Sequence, residues 1–238
     1  MDKLLWVVIG VVAGWAGQNY LPVWWRLLRG VPDLDVHVEA DPANLYAGQP
    51  PWHTAAYIFR SGPPPSPPSN YCPDWWQWAH TQGAIDSRRT ELKVTLVGGV
   101  DATVVLSGVK PRVHSLQDLS GVVGLCGAGG AEAIPRHVQI RLDHFDPPTA
   151  LFVDEQGNYI KNPTFVIRKG DAEELHIVAY AEQASVDWTV SLVLIVNGKS
   201  KEIELSDNGL PFRTSGAEGL PQYIWNADRW EDQGLAQL

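Results

Sequence analysis

The chain has 238 residues, enough for one large or two small domains with a proper core, and only 19% of it is charged. Its formal charge is −9, yet residues 1–29 carry +2 from Lys3, Arg26 and Arg29 against Asp2, which leaves −11 on the remainder. An acidic body without a basic stripe argues against nucleic acid as a partner, because that binding rests on phosphate neutralisation.

Leu4 to Trp25 reads LLWVVIGVVAGWAGQNYLPVWW, with no charge and with Gln18 and Asn19 as its only strongly polar side chains. As a helix rising about 1.5 Å per residue it spans roughly 33 Å, close to the hydrocarbon thickness of a bilayer. Trp24 and Trp25, followed by Arg26 and Arg29, read as an interfacial belt with a snorkelling rim. Residues 1–29 are therefore expected to be a membrane anchor. The competing reading is a cleaved signal peptide with Gly14–Ala16 as the small-residue site. A single leading Lys, and apolar sequence continuing past that point, favour the anchor. Gly10 with Gly14, and Ala13 with Gly17, form small-xxx-small pairs that let helices approach closely. A homo-oligomer or a partner membrane protein would pack there; the plainer reading is that Gly and Ala are common in membrane helices. Lys3 against Arg26 and Arg29 weakly favours a cytoplasmic body under the positive-inside rule. The turn-rich body with its two cysteines favours the outer face, and the outer face is the expectation.

From residue 30 to 225 no long 3.6-residue period recurs. Short alternating runs take its place: Asp35–Ala40, Thr54–Arg60, Glu91–Val97, Asp101–Leu116 with a break at Gly108, and His137–Asp143. Thr164–Gly170, Glu174–Glu182, Asp187–Leu205 and Leu210–Thr214 follow. Asn197-Gly198 accepts the two positive φ values of a type I′ turn and predicts a hairpin within Asp187–Leu205. About nine strands at this spacing predict an all-β fold, an immunoglobulin-like β-sandwich, either one elongated or two small with a sub-boundary near 146–148. Residues 226–238 show no clear pattern and are expected to be a mobile tail.

Between the second and third of those runs, Gly62–Pro68 holds five prolines and one serine after the glycine, a stiff polyproline II arm expected to be an ordered inter-strand loop. It leads to Cys72, and the other cysteine is Cys126; each is flanked by turn formers. In an exported body the two would pair and stabilise the fold by about 4 kcal/mol in the chain-entropy model. In a cytosolic body they would remain thiols, with neither CxxC spacing nor an adjacent His. Trp75, Trp76 and Trp78 fall on a short helical segment ending at Gly83, where Trp75 and Trp78 share a face and Trp76 points elsewhere. One reading is an aromatic platform for a sugar ring or a proline-rich peptide. The plainer reading has two of the three capping the sandwich end, with Trp76 the one to watch.

Asp143, His144 and Asp146 in LDHFD resemble a cation site in composition, but odd spacing on a strand places the aspartates on opposite faces. A solvated strand end is the expectation. Asp154–Asn158 reads as a turn, since it lacks the ligands of an EF-hand loop. The remaining histidines, His37, His53, His80, His114, His137 and His176, are scattered. There is no G-x-S-x-G, H-E-x-x-H, P-loop or dinucleotide fingerprint, and no catalytic residue, metal or cofactor is expected.

Several stretches carry a resemblance: ATVVLSGVKPRV, LCGAGG with PRHVQIRLD, the run from Glu174 to Gly216, and the terminal PQYIW. Together, over roughly residues 35–225, they resemble an extracytoplasmic β-rich domain of actinobacteria that follows a transmembrane helix. That domain often stands at the C-terminus of membrane-bound helix-turn-helix regulators. The most distinctive stretch is D-x-G-x-PFRTSG (Asp207–Gly216). Only Met1-Asp2-Lys3 precede the apolar run, so the DNA-binding part of such regulators is not expected. The resemblance implies a location and a fold rather than a chemistry. The sequence thus predicts a single-pass protein with an extracytoplasmic, non-catalytic binding, sensory or assembly module, whose partner is a cell-surface polymer or another protein. A carbohydrate-active or hydrolytic enzyme with a loop-built site, or a cytosol-facing adaptor, are the alternatives.

Overall fold

Strands whose side chains alternate between burial and exposure make most of the body. β4 (Arg89–Gly98) buries Leu92, Val94 and Leu96 and turns the residues between them outward, as a period of two requires. The computed structural model describes residues 34–46, 55–62, 64–99, 103–127, 137–145, 147–154, 156–161 and 165–237. Among them no helix is long and apolar enough to cross a membrane. Leu4–Trp25, with Gly10, Ala13, Gly14 and Gly17, lies outside the described residues.

The remaining strands in chain order begin with β1 (Leu34–Glu39), β2 (Ala56–Phe59), β3 (Ile85–Ser87), β5 (Val104–Gln117), β6 (Val122–Cys126), β7 (His137–Arg141), β8 (Thr149–Val153) and β9 (Tyr159–Ile160). After them come β10 (Phe165–Ile167), β11 (Ala172–Tyr180), β12 (Ser185–Val196), β13 (Lys199–Leu205), β14 (Phe212–Ser215), β15 (Pro221–Asn226) and β16 (Arg229–Leu235). One mixed sheet runs β1-β4-β11-β7-β8-β9. The other runs β10-β5-β12-β14-β3-β2-β6-β15-β16, with β13 alongside the second half of β12.

The first sheet and the β10-β5-β12-β14 part of the second enclose one core, in which Leu92, Val94, Ile140 and Ile177 join Leu106, Trp188, Val190 and Leu192. Fully burying each such aliphatic side chain contributes roughly 1.5–3 kcal/mol before entropy is counted. β7 and β8 pair across residues 146–148, so strands from both sides of that point share a sheet and a core. The rest of the second sheet, β3-β2-β6-β15-β16, extends as a wing with a small core on each face. Alternation along β2 divides them: Tyr57 and Phe59 face one way, Ile58 the other.

Three expectations change. Asp101–Leu116 is not broken at Gly108; β5 is continuous and absorbs Ser107 and His114 as bulges where its register with β12 shifts. Cys126, whose flanking glycines suggest a loop, instead closes β6. Residues 229–235 are not a patternless tail but the edge strand β16, antiparallel to β15. An edge strand exposed on most of its length carries little alternation for the eye to find. The Asn197-Gly198 hairpin forms as predicted, with φ of 49° and 78° and Val196 opposite Lys199.

Candidate functional site

Cys72–Asp74 makes one 3-10 turn with Pro73 near its start, and the α-helix Trp75–Thr81 continues from it. Gly83, at φ 75°, ends the helix in a Schellman cap. Its N–H donates to the His80 carbonyl at 2.9 Å, and the Ala84 N–H donates to the Ala79 carbonyl at 3.0 Å. At the other end Cys72 is bonded to Cys126, the Cα atoms 5.6 Å apart across a sequence separation of 54. A seven-residue helix is marginal by itself. The disulfide and the cap hold it.

The helix splits its aromatic side chains by spacing. Trp75, fully buried, meets Trp78 at a ring distance of 5.7 Å, and Trp78 lies 5.4 Å from Phe59. Trp230 of β16 adds to them 5.6 Å from Trp75, with Trp225 5.2 Å further on. The proline-rich arm and the Ser69–Asn70 segment after it lie over this cluster and accept three of its indole N–H groups. Trp75 Nε1 donates to the Ser69 carbonyl at 2.9 Å, Trp230 Nε1 to the Pro65 carbonyl at 3.1 Å, and Trp225 Nε1 to Asn70 Oδ1 at 2.7 Å. Buried indoles need such partners. Trp75 and Trp78 are therefore the plug, and the arm is its cover.

Trp76, half-buried and packed against the same small core, stands four residues before His80 on the same helical face. Their rings are 4.4 Å apart at 38°. Both line a cleft of about 500 Å³ with Arg60, Asp86, Gln117, Asp187, Asp207, Arg213 and the Leu210–Phe212 rim.

His80 is held from two sides. Nδ1 donates to the Trp76 carbonyl at 2.8 Å, and Nε2 lies 3.3 Å from Asp86 Oδ1. Both neighbours only accept, so the arrangement suits a ring with two N–H groups, the protonated form. Burial alone pushes the His80 pKa down; the hydrogen bond and charge of Asp86, the Trp76 carbonyl and the charge of Asp207 outweigh it, and the net direction is up. The stacked indole then faces a cation. Behind Asp86 runs a directed chain: Trp188 Nε1 donates to Thr214 Oγ1 at 2.9 Å, Thr214 to Thr90 at 2.7 Å, and Thr90 to Asp86 Oδ2 at 2.7 Å. Each hydroxyl spends its one proton in order, and the buried polar groups are satisfied.

At the other end Asp187 stands in register with Ser115 on one neighbouring strand and Arg213 on the other. Ser115 Oγ donates to Asp187 Oδ2 at 2.7 Å, and Arg213 Nε is 3.5 Å from Asp187 Oδ1. Arg60, exposed, donates from Nη2 to Gln117 Oε1 at 3.3 Å. The distinctive stretch Asp207–Gly216 builds the facing wall. Asn208 and Gly209 take positive φ in a tight corner closed by Asp207 and Leu210, which exchange N–H···O bonds of 2.8 Å. Phe212 enters the core, Arg213 the cleft, and Thr214 the buried chain. Gly216 has no room for a side chain, because a Cβ there would sit 2.1 Å from the Glu182 carbonyl oxygen.

Chemically, the cleft offers a half-covered ring, fixed charges and amide donors. The Thr90 and Thr214 hydroxyls point into the Asp86 chain and not at His80. Among the described residues no group of three or more His, Cys, Asp and Glu is placed to hold a metal ion.

LDHFD is corrected in one respect. Asp143 is not a solvated strand end, because its Oδ2 accepts the backbone N–H groups of Glu182, Gln183 and Ala184 at 2.8, 2.6 and 3.0 Å and clamps the β11–β12 corner. Asp146 lies outside the described residues. Asp154 nucleates the expected turn, accepting from the Gln156 and Asn158 N–H groups. Among the scattered histidines, His80 has a site role that sequence reading missed. Its signal was the i, i+4 spacing from Trp76 on a helix too short to show a period. No protein-family model matches the chain, and no curated protein matches it either.

Proposed function

We propose that the chain is a single-pass membrane protein, anchored by Leu4–Trp25, whose body lies outside the cytoplasm as a non-catalytic binding module. The cleft at Trp76 takes a ring of a cell-surface polymer. One observation carries this reading: Trp76, half-buried, stacks on His80 and with it lines a cleft that also holds Asp86, Asp187, Asp207, Arg60 and Arg213. A rigid indole backed by the held His80 ring, with amide, carboxylate and guanidinium groups around it, suits stacking on a saccharide. The two ring nitrogens of His80, both committed to acceptors, favour binding over hydrolysis.

The immunoglobulin-like description belongs to the sandwich part, with Trp188 buried in its core, and the wing is an addition to it. The resemblance to the extracytoplasmic domain of membrane-bound regulators supports the same location, as does a disulfide between the only two cysteines.

The test is binding of cell-surface polysaccharide fragments to the full chain in nanodiscs, followed by tryptophan fluorescence and calorimetry. Wild type binds, and Trp76→Ala weakens binding by at least about tenfold, as loss of an aromatic anchor does. Equal affinity of the two forms, or binding by neither, rejects the reading.

A further inference from the structure

The charges in the cleft are not evenly matched along its length. At the Trp76 end, His80 faces Asp86 at 3.3 Å, and the charges of Asp86 and Asp207 both favour its protonated form. At the far end two guanidinium groups, Arg60 and Arg213, have one carboxylate between them, Asp187. That carboxylate is itself shared. Its Oδ2 is taken by Ser115 at 2.7 Å, and Arg213 reaches Oδ1 only at 3.5 Å.

The donors are also underused. A guanidinium carries five N–H groups in a planar fork. Among the described residues Arg60 spends one on the neutral Gln117 amide, at 3.3 Å, and Arg213 places Nε near Asp187. Burial and the nearby charge of Arg60 both push the Arg213 pKa down, with Asp187 opposing. The two cations therefore repel each other at an end of the cleft where, among the described residues, Asp187 is the one carboxylate paired with either; the other two carboxylates of the cleft, Asp86 and Asp207, act on His80. This happens in a body whose charge outside residues 1–29 is −11, where nothing general would draw a polyanion in.

We propose that the ring taken up beside Trp76 carries a carboxylate, received by Arg60 and Arg213, so that the ligand class is an acidic, uronate-type saccharide. The proposal rests on the binding reading above and adds the charge of the ligand to it. A planar carboxylate matches the fork of an arginine bidentately, and it relieves the repulsion between the two. The ring body lies on the Trp76 indole, and a cleft of about 500 Å³ is of the size that small ligands occupy.

Oligosaccharides of galacturonate, glucuronate and mannuronate, each with its methyl ester, distinguish the outcomes when titrated against the full chain in nanodiscs. At least one acid binds about tenfold or more tighter than its own ester, because the ester keeps the ring and loses the charge. Arg60→Gln, at an exposed position, brings that ratio close to one. Trp76→Ala lowers the affinity of acid and ester by a similar factor. If acids and esters bind alike in wild type, the carboxylate inference is overturned while the ring-binding reading survives. If Trp76→Ala leaves binding intact, the ring-binding reading falls by itself. Should no member of the panel bind a folded wild-type chain, both are rejected.

Discussion

His80 couples the stacked Trp76 ring to the buried Asp86 chain, and its protonation state is built into the fold. Its folded pKa lies above the ordinary value of about 6.5, so the fold binds this proton more tightly than the unfolded chain does. The resulting stability is fully present below pH 6.5 and is lost as pH rises through the raised folded pKa. Urea midpoints measured from pH 5.5 to 9 should fall across that window in wild type. In His80→Gln, which cannot titrate, that fall should be missing; a wild-type midpoint that rises there would contradict the assignment. Trp76 was legible in the sequence as the odd ring of the three. His80 was not, because a lone histidine in a short helix looks the same whether it faces solvent or a carboxylate five residues beyond the helix end.

The Cys72 segment shows how a weak element is made firm. The helix is short and its side chains fall on two faces, so its position depends on the disulfide, the Schellman cap and the arm carbonyls over the indoles. Closing a loop with a separation of 54 residues contributes about 4 kcal/mol in the chain-entropy model. Cys72→Ser/Cys126→Ser should therefore lower unfolding free energy by about that amount in denaturant titrations. In hydrogen exchange the amides of β2, β6 and the helix should lose protection before those of β12, because the sandwich core has no contact with the sulfurs. Uniform loss across both would mean that the wing and the sandwich open together. At this scale the hairpin at Asn197-Gly198 and the long alternating strands were plain in the sequence. β3, β6, β8, β9, β15 and β16 were not, since strands of two or three residues, those on an exposed edge, and those half-buried along most of their length leave little alternation to read. The pairing of β14 with β3 and of β6 with β15, both parallel and far apart in sequence, follows from tertiary packing alone.

For the whole molecule the proposed anchor requires the body to lie on one side of a membrane, and three properties bear on which. Residues 1–29 place two arginines after the apolar run and one lysine before it, which by charge alone points the body inward by a margin of one residue. Against that margin stands a disulfide whose cysteines are both buried, 5% and 3% exposed, in the tightest part of the wing. A reducing cytosol would keep those thiols apart and forgo about 4 kcal/mol. The ligand proposed for the cleft, a ring of a cell-surface polymer, would also lie outside the cell. The buried cysteines cannot report on the question, so a reporter thiol is needed elsewhere. Lys201 is exposed on β13, which pairs only with β12, and it is far in sequence from both sulfurs. Lys201→Cys on intact cells should react with a membrane-impermeant maleimide at the same rate before and after lysis. Reaction only after lysis would place the body in the cytosol, and with it both the disulfide and the cleft would need another explanation.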